Sequence, residues 1–270
     1  MEFEDILNNS FTLKLSDLVV QIQKVAIDNK NIKLGENNFH FLSDIDKNIM
    51  NMFDIQSKLV YNNEQLIFVN VFIKRFSDKS YLISNGINQL RYIQYHYEVF
   101  AHKIHTILEL MKLMINEVFN LGIHPKDCSW ENIRKRKELK SYKGINILNA
   151  FYVKFKNIIN LRHANTHRGI FIDSEMDELS GPLFLYEASE KFDLDMDEYR
   201  KVYPKHLLDY QIKKYRKSKV EIINSLGAES FKLTKAFLTS LEEELNRKIT
   251  AHNKTFTSGG FYSKSKPATS

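Results

Sequence analysis

Cysteine occurs once in the 270 residues, as Cys128, so no disulfide can form within the chain and no thiolate cluster can hold a metal. No histidine or acid stands in register with it, so it carries no mark of a nucleophile. Proline is scarce, at four residues, and glycine numbers nine, which predicts long regular elements and little linker. No apolar run approaches the length of about 18 residues that a membrane-spanning helix needs. The start, Met1-Glu2-Phe3-Glu4-Asp5, is acidic and lacks the basic opening of a secretory signal. The expectation is a cytoplasmic protein with no membrane association.

Apolar residues make up 43% of the chain, enough for a sizeable core, and Phe and Tyr contribute 19 and 13 residues. The formal charge of +6 permits a nucleic-acid partner without demanding one.

The periodicity is helical throughout. A helix is expected from about Asp17 to Asp28, capped by Ser16, with Leu18, Val19, Ile22 and Val25 inward. Residues 29–38 read as a turn. A second helix is expected over Leu42 to Phe53, with Ile45, Ile49 and Phe53 inward. Leu66 to Phe76 has the composition of a strand, yet nothing nearby could pair with it, which favours a buried helix. Turns are expected at Ser77-Asp78-Lys79 and at Asn85-Gly86. Asn88 to Leu121 reads as one long helix stopped by Gly122, with Phe100, Ile104, Ile107, Met111 and Ile115 among its apolar positions. Its His102 and His105 are three apart and offer a metal pair, although helical histidines without a metal are the simpler reading. Ser129 should cap the next helix, with Trp130 anchoring that turn in the core.

Arg134, Lys135, Arg136, Lys137, Lys140 and Lys143 form the densest basic patch. It is either a solvated face or a set of phosphate contacts, and Tyr142 could add stacking. Ile145 to Leu161 is the second long helix, and its Lys154 and Lys156 bring positive charge towards residues 160–169. Residues 173–199 are an acidic excursion with a turn at Gly181-Pro182. Asp193 to Asp197 resembles a calcium loop only superficially, without the central glycine or terminal glutamate. Helices are expected from Pro204 to Leu226, broken by Gly227, and from Glu229 to Lys248. A tail from 253 to 270, rich in Ser, Thr, Gly and Lys, has the composition of disorder.

The stretch with the most chemistry is Asn160-Leu161-Arg162-His163-Ala164-Asn165-Thr166-His167-Arg168-Gly169, where a helix is expected to end with Gly169 as cap. Two guanidiniums beside two imidazoles can bind a phosphodiester and move a proton. The plain alternative is a polar helix end closing on its own carbonyls. Arg162 and His167 are five apart, about 140° around an unbroken helix. They converge only if the helix ends between them or a second subunit completes the site. His163 and His167, four apart, would share a face and could clamp a metal, but no His-Glu-x-x-His signature or third ligand is evident. RNA cleavage without a metal suits these residue types better. The 2′-hydroxyl is the nucleophile, a histidine takes its proton, and an arginine steadies the phosphate.

Arg162-His163-Ala164-Asn165-Thr166-His167 resembles the Arg-x4-6-His motif of HEPN domains, helical domains of many prokaryotic toxins and defence nucleases. Within that family the chain resembles the Cthe_2314-like HEPN subgroup. His163 meets the pattern's polar residue after the arginine, and the long helices from Asn88 onward match its plan. The resemblance covers roughly residues 88 to 250. It implies an all-α, HEPN-like helical bundle over 88–252; the helical extension over 1–87 and the acidic excursion 173–199 depart from the family pattern, and 253–270 is the tail. It implies a metal-independent endoribonuclease that needs no cofactor, active as a homodimer with motifs facing each other. Arg162 and His167 would be catalytic and His163 supporting. Arg134, Lys135, Arg136, Lys137, Lys140, Lys143, Lys154 and Arg168 would hold RNA. An antitoxin or nucleotidyltransferase partner would be a separate protein. Some members of the family bind RNA without cutting it, which keeps a regulatory RNA-binding protein as the second reading. A plain protein-interaction bundle is the third.

Overall fold

The computed structural model describes residues 3–28, 38–77, 79–168 and 173–257. Every regular element among them is helical, in keeping with the expected all-α bundle and its extra N-terminal helices. The chain divides into two compact units. The first comprises Met1–Tyr61, Ile107–Tyr152 and Phe231–Ser270. The second comprises Asn62–Thr106 and Val153–Ser230.

In the first unit, α1 (Glu4–Leu7) leads into α2 (Ser10–Asp28). Phe11, Leu15, Leu18, Val19, Ile22 and Ala26 are buried at helical spacing and fix its inner face. The helix begins earlier than its polar pattern suggests, because Asn9 serves as the cap and accepts from the Phe11 amide at 3.0 Å. Ser16 is therefore interior, and its hydroxyl donates back to the Thr12 carbonyl at 2.9 Å.

The third helix, α3 (Asp44–Ile73), joins the two segments expected at 42–53 and 66–76. No glycine or proline interrupts these 30 residues. The Ser43 hydroxyl accepts from the Asp46 amide at 3.2 Å and donates to the Asp46 carboxylate at 2.8 Å, a capping box with Asp in the usual Glu position. The same Asp46, buried, takes His252 Nε2 at 3.1 Å and ties the start of α3 to the last helix.

In the second unit, α4 (Lys79–Ser84) ends at the expected break, where Gly86 holds φ +74°. The long helix α5 (Gln89–Val118) is capped by Asn88, which accepts from the Arg91 amide at 2.9 Å. It stops where Asn120 and Gly122 turn left-handed, at φ 49° and 64°. In the first unit, to which the chain returns from Ile107, a short α6 (Trp130–Arg134) is capped by Ser129 as expected, through the Asn132 amide at 3.2 Å. Trp130 is only half-buried, and Ile133 is the buried residue of this helix.

The next helix, α7 (Gly144–Arg168), does not end at Leu161 but runs on through the Arg-His stretch. Position 169 lies outside the described residues, and with it the expected glycine cap. The acidic excursion is two helices, α8 (Ser174–Phe192) and α9 (Asp197–Val202). The turn expected at Gly181-Pro182 is absent, and Pro182 sits inside α8. Nor does Gly227 break the chain: α10 (Lys205–Ser240) carries straight through it, and the interruption falls at Leu241 before α11 (Glu242–Thr257). A single glycine lowers helix stability by less than tertiary packing returns, and Ile223, Ser230 and Thr234 are buried on either side of this one. Residues 253–257 are thus helical, and 258–270 lie outside the described set. No helix among the described residues is long and apolar enough to cross a membrane.

Candidate functional site

The last two turns of α7 carry the Arg-His stretch because the apolar face that holds the helix continues up to them. Leu148, Phe151, Phe155, Ile158 and Ile159 are buried along one side. Beyond Ile159 the composition turns polar, with Leu161 and Ala164 the only apolar side chains before Arg168.

Arg162 is half-buried. Its Nε is shielded from water and makes no hydrogen bond, and no carboxylate among the described residues pairs with the guanidinium. A shielded donor without a partner is uncommon and costs free energy. Its carbonyl accepts from Thr166 Oγ1 at 3.0 Å, so the helix hydrogen-bonds normally around it. The group is a half-buried cation with no ion pair among the described residues, which leaves its charge available to a phosphate.

His163 is exposed. Its ring meets that of His105, half-buried on α5, edge to face, with centroids 5.2 Å apart and planes at 88°. Both lie in the second unit. The contact pairs one of the two α5 histidines considered from sequence with the motif instead of with its neighbour, His102. A sequence gives no signal for such a contact, since 58 residues separate the two. Position 167 is placed on α7 by its backbone. Because the helix does not break, positions 162 and 167 stand about 140° apart around it. Among the described residues, no three of His, Cys, Asp or Glu are grouped to hold a metal ion.

Just past the stretch, Asp173 caps α8 and meets a buried network that sequence reasoning missed. Lys219 of α10 lies 2.7 Å from the Asp173 carboxylate, and both side chains are 8% exposed. Tyr215 donates to the same carboxylate at 3.0 Å. Lys219 also reaches Glu175 at 3.2 Å and sits over the Tyr97 ring. Burial pushes the Tyr97 phenol up to about 12, helped by the charges of Asp173 and Glu175. Burial, again with Asp173, raises Tyr215. In the sequence Lys219 looks like one more cation in the run 213–219. Its role becomes visible only when α10 is seen against α5 and α8.

The basic patch belongs to the first unit. Arg134, Lys140 and Lys143 line one shallow hollow. Lys135 and Lys137 are exposed and Arg136 half-buried. Tyr142 is not a stacking surface as envisaged: it packs on Phe119 at 4.7 Å and shares a hydrogen bond with Ser240 at 2.8 Å. Lys154 is exposed on α7, in the second unit with Arg162 and His163. Arg168 ends α7, placed by its backbone. Cys128 is buried, and burial raises its pKa.

A family model agrees with this reading of the helices. The model of the Cthe2314-like HEPN family matches residues 50–195, more than half of the chain. The chain belongs to the Cthe2314-like HEPN family. The match takes in most of α3, all of α5 and α7 with the Arg-His stretch, and nearly all of the excursion. No curated protein and no solved structure matches the chain. This HEPN chain adds α1, α2 and the start of α3 before the matched region and α9, α10 and α11 after it.

Proposed function

We propose that this HEPN protein is a metal-independent endoribonuclease that cuts single-stranded RNA by attack of the 2′-hydroxyl on the adjacent phosphate. The supporting observation is Arg162: a half-buried side chain whose Nε is shielded and without a hydrogen bond, with no carboxylate partner among the described residues, one residue from His163 in the motif of a HEPN chain. In the proposed mechanism Arg162 holds the phosphate and stabilises charge that builds on its oxygens. His167 removes the 2′-hydroxyl proton as general base, and His163 assists the leaving oxygen. The attacked phosphorus loses the 5′-oxygen of the next nucleotide, leaving a 2′,3′-cyclic phosphate. Cations at Arg134, Lys135, Arg136, Lys137, Lys140, Lys143, Lys154 and Arg168 contact the RNA backbone.

The unbroken course of α7 favours a homodimer, because residues about 140° apart on one helix act on a single phosphate more readily when two copies face each other. A toxin or antiviral effector in the cytoplasm, controlled by a separate antitoxin or nucleotidyltransferase, fits such an activity. The test is cleavage of single-stranded RNA by purified protein in excess EDTA, beside His167→Ala and the equivalent DNA. Cleavage of RNA only, ended by the substitution, is expected. Salt-sensitive binding without cleavage would favour the regulatory RNA-binding reading. Activity lost in EDTA and restored by a divalent ion would favour a metal enzyme.

A further inference from the structure

The segment 66–97 interleaves aromatic and basic residues. It holds Phe68, Phe72, Phe76, Tyr81, Tyr92, Tyr95 and Tyr97 with Lys74, Arg75, Lys79 and Arg91, against one acid, Asp78. The end of α3 and the start of α5 bring four of these rings together around His96. Phe72 stacks on His96 at 5.7 Å, Tyr92 meets it at 4.4 Å and Tyr95 at 5.3 Å, while Phe76 packs on Tyr92 at 5.3 Å. The pairs 72 with 96 and 76 with 92 run the end of α3 and the residues just after it antiparallel to α5. The cluster is not sealed. Tyr95 is 63% exposed and Phe72 52%. A contiguous exposed patch of rings marks a candidate interaction surface, and flat aromatic faces suit stacking partners.

The charge around the rings is positive in balance: in the hollow beside Phe76, Lys79, Arg91, Lys191, Lys205 and Arg216 outnumber Glu187, Glu190 and Asp209. Lys74, Arg75 and Lys79 are exposed and form no ion pair with the described residues. Arg91 donates to the Gly86 carbonyl at 2.8 Å. Behind Tyr92, Arg216 of α10 keeps two shielded guanidinium nitrogens without partners. The acid on the neighbouring turn of α5 is Glu98, which accepts from Gln94 at 2.8 Å.

The same helix joins this cluster to the motif. Tyr95 and exposed His102 are seven residues apart on one side of α5, and His105 follows one turn later against His163. Ten residues separate Tyr95 from His105, about 15 Å along the axis. That is the span of a few nucleotides of extended single strand.

We propose that the exposed aromatic surface of α3 and α5 is a stacking platform for single-stranded RNA a few nucleotides from the phosphate that the Arg-His motif cuts. Bases stack on Tyr95 and Phe72, and Lys74, Arg75 and Arg91 meet the phosphates. The substrate part of this proposal rests on the ribonuclease reading; the binding surface is tested separately. The charge decides against a second copy of the chain as occupant. An isologous contact would set the exposed Lys74 and Arg75, which have no ion pair among the described residues, against their own copies, while the acids Glu187, Glu190 and Asp209 lie in the hollow on the Phe76 side.

The experiment compares wild type, Tyr95→Ala, Lys74→Gln/Arg75→Gln and His167→Ala on a labelled single-stranded RNA of about twelve nucleotides and on a dinucleotide with one scissile bond. Tyr95→Ala should weaken binding of the long RNA about 5- to 150-fold, the range seen for loss of one base-aromatic stack. The double Gln variant should bind more weakly and flatten the salt dependence by about 0.7 per lost phosphate contact. Both should cleave the dinucleotide at the wild-type rate, while His167→Ala binds the long RNA normally and cleaves neither. Because Tyr95 is mostly exposed, its replacement leaves the fold intact, which circular dichroism checks. Unchanged affinity of Tyr95→Ala for long RNA overturns the platform, as does a shift of that variant from dimer to monomer, which would make the surface a contact between copies. Wild type that binds but cuts nothing defeats the ribonuclease reading alone, and the Tyr95→Ala comparison still decides the platform.

Discussion

His105 and His163 meet edge to face across α5 and α7, 5.2 Å between ring centroids, although 58 residues part them in the chain. The contact fixes the half of α7 that carries Arg162 against the long apolar helix of its unit. If the motif is catalytic, His105 orients His163 without touching substrate. His105→Ala should then lower kcat on RNA by less than about tenfold, with KM unchanged. His105→Phe, which keeps an edge-to-face ring, should restore most of it. Steady-state kinetics on a short RNA decide this, and a fall in kcat with the Phe variant as deep as with Ala would show that the ring contact is not what matters.

Arg162 itself should matter more. Removing a donor aimed at developing charge typically costs about 10²–10³ in kcat. Arg162→Ala should fall in that range on RNA. Arg162→Lys keeps the charge but loses the planar fork that grips two phosphate oxygens, so it should recover only part of the loss. Full recovery by lysine would mean that charge alone suffices. Stability should barely change or even rise in Arg162→Ala, since a shielded Nε without a partner is removed.

The pair Asp46–His252 makes the first unit sensitive to pH. The Asp46 carboxylate, which faces His252 Nε2 at 3.1 Å and accepts its proton, raises the His252 pKa above its ordinary 6.5 despite burial. Burial pushes Asp46 up, but its bonds from His252 and Ser43 outweigh that and carry it below its ordinary 3.8. His252, with a raised folded value, contributes stability present below about pH 6.5 and lost as pH climbs through that raised value. Asp46, with a depressed one, contributes stability present above about pH 4 and lost as pH falls further. The ion pair therefore acts fully between those limits. Urea midpoints of wild type and His252→Gln should differ most near about pH 5.5 and converge towards about pH 8.5. A difference that stays constant across that range would sink the assignment.

Much of the fold was legible because periodicity in long helices is a strong signal. The buried stripe of α5, from Leu90 to Val118, follows the spacing of its apolar residues turn by turn. The Ser129 cap was equally readable, since its mechanism is local. The failures share one cause. Gly181-Pro182 and Gly227 look like punctuation, yet tertiary packing carried α8 and α10 through them. The reach of α7 was legible only in part: apolar periodicity carried the helix to Leu161 and Gly169 offered a cap, while the helix runs to Arg168 because polar residues on an exposed face do not end a helix. In the site, Arg162 and His163 could be picked out by residue type. His105 against His163, and Lys219 against Asp173, could not, because each depends on which helices become neighbours.

Lys219 and Asp173 give the last prediction, which concerns the segment just after the motif. Their side chains are 2.7 Å apart and 8% exposed, and Tyr215 completes the carboxylate's hydrogen bonding. Removing one member of a buried pair leaves the other charge without compensation, which typically costs about 3–5 kcal/mol. Lys219→Met should lose that much, with a urea midpoint well below wild type. Asp173→Asn should lose less than Asp173→Ala, because the amide still caps α8 and accepts from Tyr215. A double replacement, Lys219→Met with Asp173→Asn, should recover stability relative to Lys219→Met alone, since no charge is then stranded. Additive losses in this cycle would mean that the two groups act independently, and that the ion pair does not hold the start of α8 against α10.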